Sequence, residues 1–115
     1  MFYLPRQTDV PEVDPAEAAA LLAGEAMAVD VREPEEWDAG RIDEAVHIPL
    51  GELGQRYLEL DAGVTLVMVC RSGGRSAQAT QALRGAGYDA RNLAGGMQAW
   101  VAAGQAIDPA DGFVA

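Results

Sequence analysis

Val64-Thr65-Leu66-Val67-Met68-Val69 is apolar at every position but Thr65, and this run restricts the folds open to the chain more than any other segment. A strand that faces water on one side alternates apolar and polar residues, whereas a strand covered on both faces reads as a continuous apolar run typical of a parallel sheet. Parallel neighbours need crossover connections, usually helices, and the rest of the chain supplies them. Asp14-Pro15 before Ala16 to Ala23 and Gly24 predicts a helix with a cap, a proline in its first turn and a glycine stop. Ala26 to Val31 predicts a buried strand, Glu33-Pro34 opens a helical turn that carries Trp37 and ends at Gly40, and Ala45 to Ile48 predicts a strand stopped by Pro49.

Leu50, Leu53, Tyr57, Leu58 and Leu60 recur at helical spacing and predict a helix between Gly51 and Leu60. Ser76 to Ala86 is an Ala-rich helix with Leu83 facing inward and Gly87 past its end. Ala90 to Leu93 is the last strand, and Met97 to Ala103 the last helix, with Trp100 on its buried face. Gly104 to Ala115 reads as a weakly structured tail. Strands alternating with helices over the whole length predict an α/β fold, a parallel sheet with right-handed crossovers. Ligands of such folds bind beyond the carboxyl ends of the strands, so Asp30 to Arg32, Pro49, Cys70 to Ser76 and Gly95-Gly96 are expected along one edge.

The 115 residues suit one domain, without repeats or a linker-like change of composition. A formal charge of −10, with eight arginines and no lysine, argues against nucleic acid as a partner, because that role needs a clustered basic surface. No apolar stretch approaches the roughly 20 residues needed to span a bilayer, so no membrane contact is expected. Met1 to Val13 lacks the basic segment and apolar run of a secretory signal, which makes a cytoplasmic location the default. No metal cluster or nucleotide motif is evident, and no cofactor is expected. Cys70 is the single cysteine, so any sulfur chemistry involves a free thiol.

That thiol opens Cys70-Arg71-Ser72-Gly73-Gly74-Arg75-Ser76, the connection from the apolar strand to the Ala-rich helix. Gly73 and Gly74 permit positive φ and close backbone approach, so successive N–H groups can turn inward as an anion-binding nest with the sulfur at its centre. The positive end of the following helix and the charges of Arg71 and Arg75 favour thiolate over thiol, and a depressed pKa is expected. A thiolate in such a nest suits covalent catalysis in two steps. A cysteine at a strand end is otherwise an ordinary small buried hydrophobe, but such a residue has no use for two arginines and a diglycine beside it.

The loop resembles the active-site pattern of the rhodanese family, Cys-Arg-Ser-Gly-X-Arg-Ser, without departure. Asp30-Val31-Arg32 with Glu36-Trp37 and Gly40 is similar to a second signature of that family, and Gly95-Gly96-Met97-Gln98-Ala99-Trp100 to a third. The likeness runs from about Val10 to Asp108 and implies a rhodanese-like domain over residues 1–108, with 109–115 as a tail. It implies a five-stranded parallel sheet with helices on both faces. It also implies a thiosulfate-type sulfurtransferase in which Cys70 becomes a persulfide and Arg71, Ser72, Gly73, Gly74, Arg75 and Ser76 bind substrate. The expected partners are a small sulfane-sulfur donor and a thiol or cyanide acceptor. A carrier module that relays persulfide sulfur between proteins is the alternative, since both roles need the same loop.

One departure is Gly40-Arg41-Ile42-Asp43-Glu44-Ala45, where the family usually has Gly-His-Ile-Pro-Gly-Ala. Arg41 replaces a histidine that is not the nucleophile, so loop rigidity or partner contacts are expected to change more than chemistry. Rhodanese-like phosphatases place five residues between cysteine and arginine; here Arg71 to Gly74 make four, which is expected to exclude phosphate. Asp30 and Arg32 are supporting residues, read first as a structural ion pair and second as contacts to the loop amides and an anion. His47 is not expected to be catalytic, and Trp37 and Trp100 are expected to be core anchors. Gly95-Gly96 is expected to let the last strand and helix approach the cysteine loop.

Overall fold

A computed structural model describes residues 10–115. Met1 to Asp9, expected to belong to the domain and to lack a secretory signal, lie outside the described residues. Five parallel strands form one sheet: β1 (Glu12–Val13), β2 (Met27–Asp30), β3 (Val46–His47), β4 (Thr65–Val69) and β5 (Asp89–Leu93), in the order β1-β5-β4-β2-β3. The helices are α1 (Pro15–Ala23), α2 (Pro34–Ala39), α3 (Leu50–Arg56), α4 (Gly74–Gly85) and α5 (Gly96–Ala102). None of the helices in the described residues is long and apolar enough to cross a membrane.

The continuous apolar run becomes β4, flanked by β2 and β5, and its period of two divides the core. Leu66 and Met68 face one cluster with Leu53 of α3 and Ala79 and Leu83 of α4; Val67 and Val69 face another with Ala18 of α1 and Met97 and Trp100 of α5. Helices therefore cover both faces, which is why β4 carries no polar alternation. Local chemistry fixes the helix starts. Asp14 Oδ1 accepts from Glu17 N at 2.8 Å while Glu17 Oε1 accepts from Asp14 N at 2.9 Å, with Pro15 in the first turn.

Three expectations change. The resemblance implies five strands but the residue pattern locates only four; the fifth, β1, is a two-residue edge strand without periodicity, defined by its pairing with β5. The helix expected to reach Leu60 ends at Arg56 and tightens into a 3₁₀ turn over Tyr57–Glu59, which leaves Leu58 79% exposed and buries Leu60. The tail is not loose: Asp108 and Arg41 exchange backbone hydrogen bonds of 3.0 and 2.8 Å, Phe113 N donates to Ala39 O at 3.0 Å, and Val114 packs on the core. Gly40 and Gly112 make this approach feasible. A Cβ on Gly40 would lie 2.8 Å from Phe113 O, and one on Gly112 2.6 Å from Ala39 O.

Candidate active site

Asp30, His47, Val69 and Leu93 end their strands side by side, so the residues that follow them share one edge, as expected. Cys70 leaves β4 on the α3/α4 side, in register with Leu66 and Met68. Its Sγ accepts from Gly73 N at 3.0 Å and lies 3.2 Å from Ser76 Oγ. Gly73, at φ 110°, is the left-handed residue that turns the chain into α4. Gly74 is already helical and has open space where a Cβ would stand, so only one glycine of the pair is used for its backbone freedom.

The loop carbonyls are held away from the sulfur. Met97 N donates to Cys70 O at 2.8 Å and Gln98 N to Arg71 O at 3.0 Å, both from the start of α5. Gly96 makes that contact, with φ 60° and a hypothetical Cβ only 2.4 Å from Cys70 O. Gly95-Gly96 thus fulfils its expected role: α5 holds the carbonyls, and amide hydrogens are left to face Sγ.

Burial pushes the Cys70 thiol up, but the Ser76 hydroxyl and the amides of Ser76, Gly73 and Ser72 together outweigh it, and the net shift is below the ordinary value of 9.0. The expected depression is present, though its causes differ from those expected. Arg75 directs Nη1 and Nη2 to the two Glu36 oxygens, each at 2.8 Å. Arg71 Nε donates to Ala115 O at 3.0 Å, and the hydrogen-bonding orientation of the Gln98 amide accepts from Arg71 Nη1 at 2.9 Å. Both arginines have partners away from Sγ, so hydrogen bonds are the leading causes that lower the thiol, and the charge of Arg75 is a lesser one. The sulfur is nearly covered: Cys70 is 1% exposed, while its chain neighbours Arg71, Ser72 and Gly74 are exposed.

Asp30 and Arg32 form a fully buried pair. Arg32 N and Nε donate to Asp30 Oδ1 at 3.0 and 2.9 Å, and Nη2 donates to Oδ2 at 2.8 Å and to Gly40 O at 2.7 Å. The carboxylate is thus engaged by Arg32 rather than by the loop amides, as in the structural reading. His47 Nε2 lies 2.8 Å from Arg32 O, and its ring stacks on Trp37 at 4.6 Å. Trp37 is therefore no core anchor; it is half-buried between His47 and the Arg41 guanidinium, 5.1 Å from the ring centroid. Trp100 is in the core and donates from Nε1 to Ala106 O at 2.9 Å. Arg41 ties the tail to α2, through its backbone bonds to Asp108 and an Nη1 bond to Trp37 O.

Sequence reasoning missed Asn92, buried on β5. Its Oδ1 lies 2.6 Å from Ser76 Oγ, and its Nδ2 donates to Gly73 O and Glu12 Oε2, both at 3.1 Å. The available signal was a polar residue two positions after Ala90, hence on the same core-facing side of the last strand.

Comparison with known proteins agrees with this architecture. YtwF of Bacillus subtilis is 42% identical over 72 residues, covering 63% of this chain and 70% of that protein. The thiosulfate sulfurtransferase GlpE of Pseudomonas syringae is 32% identical over 94 residues, 81% of this chain and 89% of that protein. The crystal structure of a rhodanese-related protein from Thermoplasma volcanium superposes with a TM-score of 0.81 at 28% identity, covering 84% of this chain and 96% of that one. The matched segment spans only 39% and 19% of two other curated relatives. Residues 14–103 match the family described as Rhodanese-like domain, and the chain belongs to that family.

Proposed function

We propose that this protein is a sulfurtransferase that moves a sulfane sulfur from thiosulfate or a similar donor to a thiol or cyanide through a persulfide on Cys70. The observation that carries this reading is the cradle around Sγ: hydrogen bonds from Gly73 N and the Ser76 hydroxyl group favour the anion despite burial. In the first step the Cys70 thiolate attacks the outer sulfur of thiosulfate, the donor S–S bond breaks, and sulfite leaves with the electron pair. In the second, the acceptor attacks the outer persulfide sulfur, the new S–S bond breaks, and the thiolate is restored. Inward amides suit both stages because the site is anionic in each.

Arg71, Ser72 and Gly74 are the exposed part of the loop and form its donor-facing surface in this reading. Since Cys70 itself is nearly covered, a donor reaches it by a local movement of the loop, which makes loop opening part of the reaction. The name of the relative GlpE supports thiosulfate as the donor to try first. The test is thiocyanate formation from thiosulfate and cyanide. Turnover lost in Cys70→Ser supports the proposal; absence of turnover with every sulfane donor and acceptor tried, or a Cys70-dependent phosphatase activity instead, overturns it.

A further inference from the structure

The Ser76 hydroxyl has one proton and three acceptors within reach: Asn92 Oδ1 at 2.6 Å, Cys70 Sγ at 3.2 Å and, most distant, Gly73 O at 3.3 Å. Asn92 Nδ2 faces two acceptors, Gly73 O and Glu12 Oε2, which fixes the amide with Oδ1 toward Ser76. Oδ1 and Ser76 Oγ are 2.6 Å apart, a separation two oxygens tolerate only with a proton between them. An amide oxygen has none to give, so Ser76 donates to Asn92. Cys70 Sγ is 3.2 Å from the same hydroxyl oxygen, which then presents a lone pair to the sulfur. That arrangement suits an S–H donor, and the hydroxyl stabilises a thiolate only by turning its proton from Oδ1 to Sγ.

We propose that Asn92 is a positioning residue that governs the charge state of Cys70 through Ser76, holding the hydroxyl proton in the thiol form and yielding it to Sγ in the thiolate form. When Cys70 ionises, its proton leaves for solvent and the Ser76 O–H turns from Oδ1 to Sγ, leaving two close oxygens without a proton between them. This cost offsets part of the stabilisation that the hydroxyl gives the bare thiolate. Once sulfur is loaded, the charge sits one atom further out, Sγ no longer needs the hydroxyl, and the bond to Asn92 re-forms. The network thus favours the loaded site over the empty, ionised one; this consequence rests on the proposed function, whereas the titration does not.

The charged groups around the sulfur are Arg71 in the loop, Arg75 with Glu36 of α2, the buried pair Asp30–Arg32 after β2, and Glu12 of β1 behind Asn92. His47 of β3 is bonded to Arg32 O, and Arg56 of α3 pairs with Glu52 and Glu59. All are common to the variants compared below.

Cys70 is the only cysteine, so its ionisation can be followed by thiolate ultraviolet absorbance, with no reagent needing access. Asn92→Leu frees the hydroxyl and is expected to lower the titration midpoint by about one pH unit, the scale of a hydrogen bond to a charged group. Ser76→Ala is expected to raise it, and Asn92→Leu in the Ser76→Ala background to shift it no further. If the leucine variant does not fold, Asn92→Ala replaces it. Loss of the Nδ2 bond to Gly73 O alone loosens the cradle and raises the midpoint, so a purely structural role has the opposite sign. A raised or unchanged midpoint in the Asn92 variant, a downward shift that persists without Ser76, or a Ser76→Ala midpoint equal to wild type overturns the inference. If the variants show these shifts while the wild-type protein never loads sulfur, the proposed function is refuted and the inference stands.

Discussion

Arg75 meets Glu36 through two hydrogen bonds of 2.8 Å, Nη1 to Oε1 and Nη2 to Oε2. The same Oε1 accepts from Glu33 N at 3.0 Å at the start of α2, so one carboxylate both organises that helix and holds the loop arginine. Arg75 is consequently a brace between α2 and α4, and the Glu36 carboxylate offsets much of the charge that it sets toward the sulfur.

Replacing Glu36 with glutamine frees that charge. Glu36→Gln is expected to lower the Cys70 titration midpoint further and to reduce KM for thiosulfate about threefold or more, by analogy with a surface ion pair of up to about 1 kcal/mol. Steady-state kinetics at low and high salt checks this, since a freed guanidinium makes the gain salt-sensitive.

The Arg75 bond holds the Glu36 carboxyl down to about 2, below its ordinary 4.5. Because the folded value is the lower one, the pair's stabilisation is complete above about 4.5 and is lost as pH falls through about 2. Arg75 is partly exposed, so the contribution is about 1 kcal/mol after solvent screening. Denaturation midpoints measured down this pH range are expected to fall less steeply in Glu36→Gln than in wild type.

The buried pair is a different case. Removing one partner leaves an uncompensated charge in the interior, so Asp30→Asn is expected to destabilise the fold by about 3–5 kcal/mol in chemical denaturation. A loss below about 1 kcal/mol contradicts the structural assignment of this pair.

Two glycines beside the sulfur separate sharply. Gly74→Ala has open space and a helical backbone, and is expected to be neutral or stabilising by about 0.5 kcal/mol. Gly96→Ala drives a methyl group into the Cys70 carbonyl, and is expected to cost about 2 kcal/mol or more and to abolish transfer. Thermal melts and turnover of the two variants check the contrast.

The parallel sheet was legible because β4 carries its burial in its own composition, and the cysteine loop because Cys70, Gly73 and Ser76 act on one another within a few residues. Partners chosen by tertiary folding were not legible. Glu36 and Arg75 lie on different helices, and nothing local distinguishes a braced arginine from a free one. Trp37 reads as a core residue by type, yet His47 and Arg41 hold it near the surface. Leu58 keeps helical spacing in sequence, but the change to a 3₁₀ turn rotates it outward. Asn92 shows its purpose only when β5, Ser76 and the loop are brought together.

The most direct measurement is the mass of the intact protein after incubation with thiosulfate and removal of excess donor. Wild type is expected to gain a single sulfur atom, release it to added thiol, and show no gain as Cys70→Ser. A chain that stays unmodified with thiosulfate and other sulfane donors, or that gains the atom without Cys70, contradicts the account.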